Sequence, residues 1–178
     1  MRAFFAIDPP AQIKLAIESW REKALPTFLK MVPPANFHIT LAFLGQVNDV
    51  QLESLIQQSE VLTLTPGFPL SLDNLGYWPK PKALWLGSHQ IAKQHIQLTD
   101  LLTKISLRSA VVMQKKEYIP HLTLVRKCAE NPPAALIEPT FSFDVEEFHL
   151  FESVSTTNGV IYKRRKTWRL APIMAVTR

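Results

Sequence analysis

From residue 36 to 44 apolar and polar positions alternate with the two-residue period of a half-buried strand, Phe37, Ile39, Leu41 and Phe43 on one face and His38 and Thr40 on the other. The same alternation returns over 119–126, where His121 and Thr123 face away from Leu122 and Leu124. Residues 2–7 read as a further strand. Asp8 then offers a helix cap, Pro9 fits the first turn, and Ile13, Ala16, Ile17, Trp20 and Ala24 keep helical spacing to about Leu25. Pro26 and Pro33-Pro34 break the chain before the first motif strand, which Gly45 ends; Asn48 or Asp49 caps a second helix with Leu52, Leu55, Ile56 and Leu62 inward. Strands are expected over 68–76 and 82–87 across Trp78-Pro79-Lys80-Pro81, then a helix of about 90–107 on Ile91, His95, Leu98, Leu102 and Ile105. A proline-rich loop follows the second motif to Pro139, and 140–171 alternates as two or three strands with Asn158-Gly159 as a hairpin turn. This order predicts mixed α and β with antiparallel pairing, and two related halves holding one motif each.

Each motif strand sets one imidazole and one hydroxyl on a single side, which suits the floor of a cleft better than a dry core. Histidine, with an unperturbed pKa near 6.5, serves as acid or base at neutral pH, so two facing imidazoles suit proton transfer on opposite sides of one centre. Unperturbed, they would give a bell-shaped rate profile with both limbs inside ~pH 5–9. His95 sits on an apolar helical stripe and reads as packing; His89 and His149 read as exposed or structural. Metal hydrolysis is disfavoured: there is no His-x-x-x-His or Cys cluster, and Asp49 and Glu117 have no ligand register with the motifs.

Composition narrows the partners. The 178 residues are 47% hydrophobic and 20% charged, enough for one ordinary domain or two small lobes with a self-sufficient core. A net charge of +5 favours anionic partners, with Lys163-Arg164-Arg165-Lys166 and Arg169 the densest basic stretch, although such a run is commonly a solvated strand edge. The lone Cys128 forms no internal disulfide and fits a reducing compartment; no signal segment or membrane span is visible, so a cytosolic protein is expected.

The stretches Arg2-Ala3-Phe4-Phe5-Ala6-Ile7-Asp8, Asn36 to Gly45, Leu84-Trp85-Leu86-Gly87 and Pro120 to Arg126 together resemble the two-histidine phosphoesterases, and within them the RNA 2′,3′-cyclic phosphodiesterases also known as 2′-5′ RNA ligases. The resemblance spans nearly the whole chain. It implies an α+β, bilobal fold over residues 1–178, two antiparallel sheets facing a central cleft with helices outside, one His-x-Thr per lobe. It implies hydrolysis of a terminal 2′,3′-cyclic phosphate to a 2′-phosphate without metal or cofactor, with reverse 2′-5′ ligation as a related activity. His38 would be the proton donor to the leaving 3′ oxygen, His121 the acceptor that activates water, and Thr40, Thr123 and Arg126 the phosphate ligands. The partner would be RNA with a cyclic phosphate end, tRNA halves included, and the protein a monomer. Other small cyclic phosphates, 2′,5′-oligonucleotides or a non-catalytic RNA-binding role are the alternatives. Arg126 has the wrong strand parity to share the face of His121, so the assignment requires a bulge, twist or strand end near Val125. Phe37, Tyr77, Trp78, Trp85 and Phe151 are candidates for base stacking, although Phe37 by parity faces away from His38 and Trp85 lies in an apolar strand.

Overall fold

The computed structural model describes residues 1–114 and 117–173. Within them the order is β1 (Arg2–Ile7), α1 (Ala11–Ala24), β2 (Ile39–Gln46), α2 (Asp49–Ser59), β3 (Phe68–Leu72), β4 (Asn74–Trp78), β5 (Ala83–Gly87), α3 (Lys93–Arg108), β6 (His121–Arg126), β7 (Phe141–Val145), β8 (Glu147–Thr156) and β9 (Gly159–Arg169). Two antiparallel sheets result, one of seven strands in the order β4-β5-β6-β2-β1-β8-β9 and a small one of β3 and β7. The motif strands β2 and β6 are neighbours in the larger sheet, joined by the single pair Ile39–Leu122. The walls that meet at the motifs are therefore two halves of one sheet, and the β3–β7 sheet stands apart from them.

That pair marks an approximate twofold. On one side lie β2, β1 and β8, on the other β6, β5 and β4, and the registers correspond position by position. Thr40 pairs with Ala6 and Thr123 with Trp85; Ala6 pairs with His149 and Trp85 with Gly76; Phe4 pairs with Phe151 and Ala83 with Trp78. A helix follows the inner strand in both halves, α1 after β1 and α3 after β5. The duplication invisible residue by residue in the sequence is thus present in the pairing.

The core lies on the face opposite the motifs, where Phe5, Ile7, Ile39, Leu41, Leu84, Leu86, Leu122 and Leu124 are buried with Leu98 and Leu102 of α3. This division follows from strand alternation: one apolar side chain in two goes under the helices and the other residue is left for the cleft.

Local expectations fail where a side chain finds a better partner. Asp8 caps nothing; the position before α1 is Pro10, and the carboxylate instead pairs with Lys14 and with Arg164 at 2.6 Å. Gly45 does not end the first motif strand. At φ +69° it sits within β2 opposite Ala3, where a register shift absorbs it and the strand runs on to Gln46. The run 68–76 splits at Asp73, whose carboxylate accepts from the His89 backbone N–H at 2.9 Å, so that β3 leaves for β7 and β4 for β5. Ile91 lies outside α3 and is exposed. By contrast Asn48 does cap α2: it accepts from the Gln51 N–H at 2.8 Å while the Gln51 side chain accepts in return at 3.0 Å. The basic run falls on the edge strand β9, with Arg165 near Glu152 and Lys166 near Glu60, charges that discourage edge-to-edge pairing.

Candidate active site

The register at the twofold decides how the motifs meet. With Ile39 opposite Leu122, continuing the antiparallel count sets His38 across from Thr123 and Thr40 across from His121, all four on the face away from the core. Each imidazole is oriented by its own backbone. His38 Nδ1–H donates to the Asn36 carbonyl at 2.7 Å, and His121 Nδ1–H donates to the Ile119 carbonyl at 2.8 Å. A carbonyl can only accept, so both neutral rings carry their proton on Nδ1 and keep the Nε2 lone pair free for chemistry. The identical tether, two residues upstream in each case, is a second mark of the duplication.

Arg126 reaches the motif face through a bulge. Thr123 pairs with Trp85 but Val125 with Leu84, so Leu124 is the extra residue on β6, and both Leu124 and Val125 are buried. Beyond it Arg126 pairs with Ala83, which by alternation shares the side of Trp85 and Thr123. The first motif has the same bulge at Leu41, between the Thr40–Ala6 and Ala42–Phe5 pairs, and it transfers Phe43 off the core side. Phe43 is accordingly 46% exposed, under the Arg2 guanidinium, where simple alternation had placed it with Ile39 and Leu41.

The bulge on β6 has a buried anchor. Arg21, at a core-facing position of α1 one turn after Ile17, donates from Nη1 to the Leu124 carbonyl at 2.9 Å and the Val32 carbonyl at 2.8 Å, and its guanidinium lies 5.2 Å from the Phe37 ring centroid. Val32 N–H bonds the same Leu124 carbonyl, and Arg126 N–H bonds the Lys30 carbonyl, each at 2.9 Å. One cation therefore links the residue before His38 to the irregularity that aims Arg126. Burial lowers its pKa, with Glu18 and Glu22 acting in the opposite direction. The sequence carried one signal for it, an arginine on the apolar stripe of α1.

A second support runs through Tyr118, whose hydroxyl donates to the Thr40 carbonyl at 3.1 Å and lies 2.8 Å from His95 Nε2. With the tyrosine proton committed to a carbonyl, His95 donates. His95 is buried against Phe68, in keeping with its packing role, and also braces the segment before one motif against the strand of the other. Nothing in the sequence singled out Tyr118.

Aromatic rings flank both imidazoles. Tyr162 meets His38 edge-on at 4.9 Å and 81°, and Trp78 meets His121 at 4.5 Å and 76°. Phe4, Ala6, Phe151 and Tyr162 form a small apolar cluster of their own on the motif face. Trp85 also lies there, its indole over Gly76 and Gly87, where any Cβ would come within 2.2–2.5 Å of the ring. Phe37 is buried on the core side, as parity required. The electrostatics disfavour protonation: burial holds His38 down to about 4, with Arg126 and His121 adding to the effect against the Asn36 hydrogen bond, and burial with Arg126 lowers His121. Of the other histidines, His89 is exposed beside Asp73, while His149 is fully buried with Nδ1 2.9 Å from the Thr167 hydroxyl.

Comparison with known proteins gives the setting. Residues 7–85 match the family model LigT like phosphoesterase. A protein named RNA 2′,3′-cyclic phosphodiesterase from Escherichia coli K12 is 35% identical over 173 residues, covering 95% of this chain and 96% of that one. Its namesake from Archaeoglobus fulgidus is 30% identical, covering 92% and 97%. Among solved structures, E. coli LigT complexed with 3′-AMP aligns with a TM-score of 0.86 over 95% of this chain and 97% of that one at 35% identity, and a Thermus thermophilus protein with 0.81 over 96% and 98% at 25%. The family model covers the first motif, and the E. coli relative and the LigT structure each cover 95% of this chain at 35% identity; the chain therefore belongs to the LigT-like phosphoesterase family.

Proposed function

We propose that this protein is an RNA 2′,3′-cyclic phosphodiesterase that opens a terminal cyclic phosphate to a 2′-phosphate and a free 3′-hydroxyl by paired imidazole catalysis. The observation that carries this reading is the matched pair of rings across the twofold, each tethered at Nδ1 to a backbone carbonyl just upstream of its motif strand and presenting Nε2. The names of its relatives support the same substrate class. The unit is residues 1–178 as one bilobal domain with one motif per half, acting on RNA with a cyclic phosphate end, tRNA halves among the candidates. The free, buried Cys128 favours a reducing, cytosolic setting.

In-line opening places the attacking oxygen and the departing 3′ oxygen on opposite sides of phosphorus. His121 accepts the proton of the attacking water at Nε2, and His38, protonated at Nε2, delivers one to the 3′ oxygen. Thr40, Thr123 and Arg126 hold the non-bridging oxygens as charge gathers there. Each positioned acid or base is worth ~10²–10⁴ in rate, and none of these steps calls on a Lewis acid.

The low pKa values set the pH dependence. In the free enzyme His38 loses its proton near pH 4 and His121 below its ordinary 6.5, so the productive pairing of protonated His38 with neutral His121 is a minor species at neutrality. A bound phosphate anion opposes that depression and recruits the proton. Accordingly kcat/KM should have both limbs below about pH 6.5, while the limbs of kcat lie higher. The test is turnover of cyclic nucleotides and cyclic-ended oligonucleotides with and without EDTA, the product's phosphate position being read by phosphorus NMR. A 2′-phosphate formed at an undiminished rate in chelator is the expected result; a 3′-phosphate, or activity lost in EDTA and restored by one divalent metal, would overturn the proposal.

A further inference from the structure

The ladder between the two motif strands stops just before the β2 bulge. β2 and β6 meet at the single pair Ile39–Leu122, and by the same antiparallel count Pro120 falls opposite Leu41, where it has no N–H to give. Leu41 is itself the extra residue of the bulge. The carbonyl of the peptide joining Thr40 to Leu41 takes a side-chain donor, the Tyr118 hydroxyl at 3.1 Å, and His95 Nε2–H donates to that hydroxyl at 2.8 Å. The bracing is crossed. At the other bulge the Leu124 carbonyl accepts from the Val32 N–H, six residues before His38, whereas Tyr118 stands three residues before His121. Each bulge is thus held by the segment that leads into the opposite motif. Tyr118 also directly precedes Ile119, whose carbonyl orients His121, so two adjacent residues touch both motifs. Burial pushes the Tyr118 hydroxyl up and holds His95 down to about 4, which keeps both neutral and the bonding pattern unchanged around pH 7.

We propose that Tyr118 is a positioning residue for the phosphate: by holding the Thr40 carbonyl it fixes the direction of the Thr40 hydroxyl, with His95 aiming the tyrosine proton. Threonine is β-branched and stiff at χ1, so its hydroxyl follows the backbone that carries it. A turn of the Thr40–Leu41 peptide would therefore turn the hydroxyl with it. Tyr118 acts from behind the sheet, where its ring meets His95 at 5.6 Å and His95 lies on Phe68, so its effect on a bound phosphate passes through Thr40. This rests on the reading above in which Thr40 is a phosphate ligand.

The test is a double-mutant cycle on inorganic-phosphate affinity, measured by titration calorimetry on the full chain. Thr40→Val, which removes one hydrogen bond to a charged ligand, should weaken phosphate about tenfold, and Tyr118→Phe, which removes only the hydroxyl, should weaken it by roughly three- to tenfold. In the Thr40→Val background Tyr118→Phe should change the affinity no further, because the group it positions is gone. A merely structural role would give the same loss in both backgrounds. His95→Leu, which frees the tyrosine hydroxyl to turn, runs the same cycle should Tyr118→Phe fail to fold, and His95→Gln, which can offer an amide N–H where Nε2 stands, should recover most of the affinity that His95→Leu loses. The proposal is overturned by wild-type affinity in folded Tyr118→Phe, by equal losses in the two backgrounds, or by His95→Gln binding as weakly as His95→Leu. Wild-type affinity in Thr40→Val would instead remove Thr40 from the phosphate site and the proposal with it. Failure of the hydrolase reading shows separately, as absence of cyclic phosphate turnover in the wild type.

Discussion

His38 and His121 are held at Nδ1 by carbonyls two residues upstream, so under the proposed function replacing either takes away a proton carrier, at the cost of ring contacts with Phe4 and Tyr162 or with Trp78 and Trp85. Replacing either with Ala should lower kcat by ~10² or more while the unfolding transition stays cooperative. His95→Ala should act the other way round, lowering the urea midpoint through the lost Phe68 and Tyr118 contacts, with the smaller effect on kcat. Near-normal turnover in either motif variant would refute the paired assignment. Arg21 tests a subtler relation. Arg21→Met leaves the Val32 and Leu124 carbonyls short of a donor in a buried place and should cost about 2–4 kcal/mol. Arg21→Lys keeps the charge but not the guanidinium plane over Phe37. It should stay folded with weaker phosphate binding, measurable as a raised KM and a reduced inorganic-phosphate affinity.

The bulges at Leu41 and Leu124 turn a regular alternation into a site, since each shifts the fifth residue after its histidine off the core side. In one half that residue is Phe43 and in the other Arg126, so equivalent backbone positions carry an aromatic and a cation. The same inversion of sizes appears one strand further out, where Trp85 lies over Gly76 while small Ala6 lies beside His149. Gly76→Ala should therefore be poorly tolerated. Its Cβ would meet the Trp85 indole at 2.2–2.5 Å, a collision relieved only by lifting the ring, and a loss of about 1–3 kcal/mol is expected in denaturant unfolding together with a changed tryptophan emission. Unchanged emission and stability would show that Trp85 does not need the bare sheet surface.

Stability of the whole protein should depend on pH through its buried histidines. His95 and His149 are both held near 4 by burial, His149 with Arg164 and Lys14 adding to the depression and Asp8 opposing it. A group whose folded pKa lies below its unfolded one binds fewer protons in the native state, so acidification favours unfolding. No stability is withdrawn above about pH 6.5; it falls as pH drops from there to about 4, by up to about 3 kcal/mol per group at 1.36 kcal/mol per pKa unit. Urea midpoints at pH 7.5 and 4.5 measure the fall. His149→Asn, which cannot titrate, should lessen the fall by that group's share and leave the part due to His95 and His38, and an unaltered pH dependence in that variant would assign the acid sensitivity elsewhere.

What the sequence determined by itself was whatever depends on period and spacing. Alternation about His38 and His121 established two strands with like faces, helical spacing placed α1, α2 and α3 to within a few residues, and parity showed that the role the resemblance implied for Arg126 required a bulge, twist or strand end. Those features are local, because a backbone period acts on neighbours along the chain. Tertiary structure decided the rest. That β2 and β6 share one sheet at a single pair, that Leu41 and Leu124 bulge alike, that Arg21 crosses from α1 to a distant carbonyl, and that Asp8 abandons a cap for Arg164 all join residues far apart in sequence. The histidines' low pKa values belong with these, since burial and the approach of Arg126 set them and both exist only once the halves of the sheet have closed on their twofold.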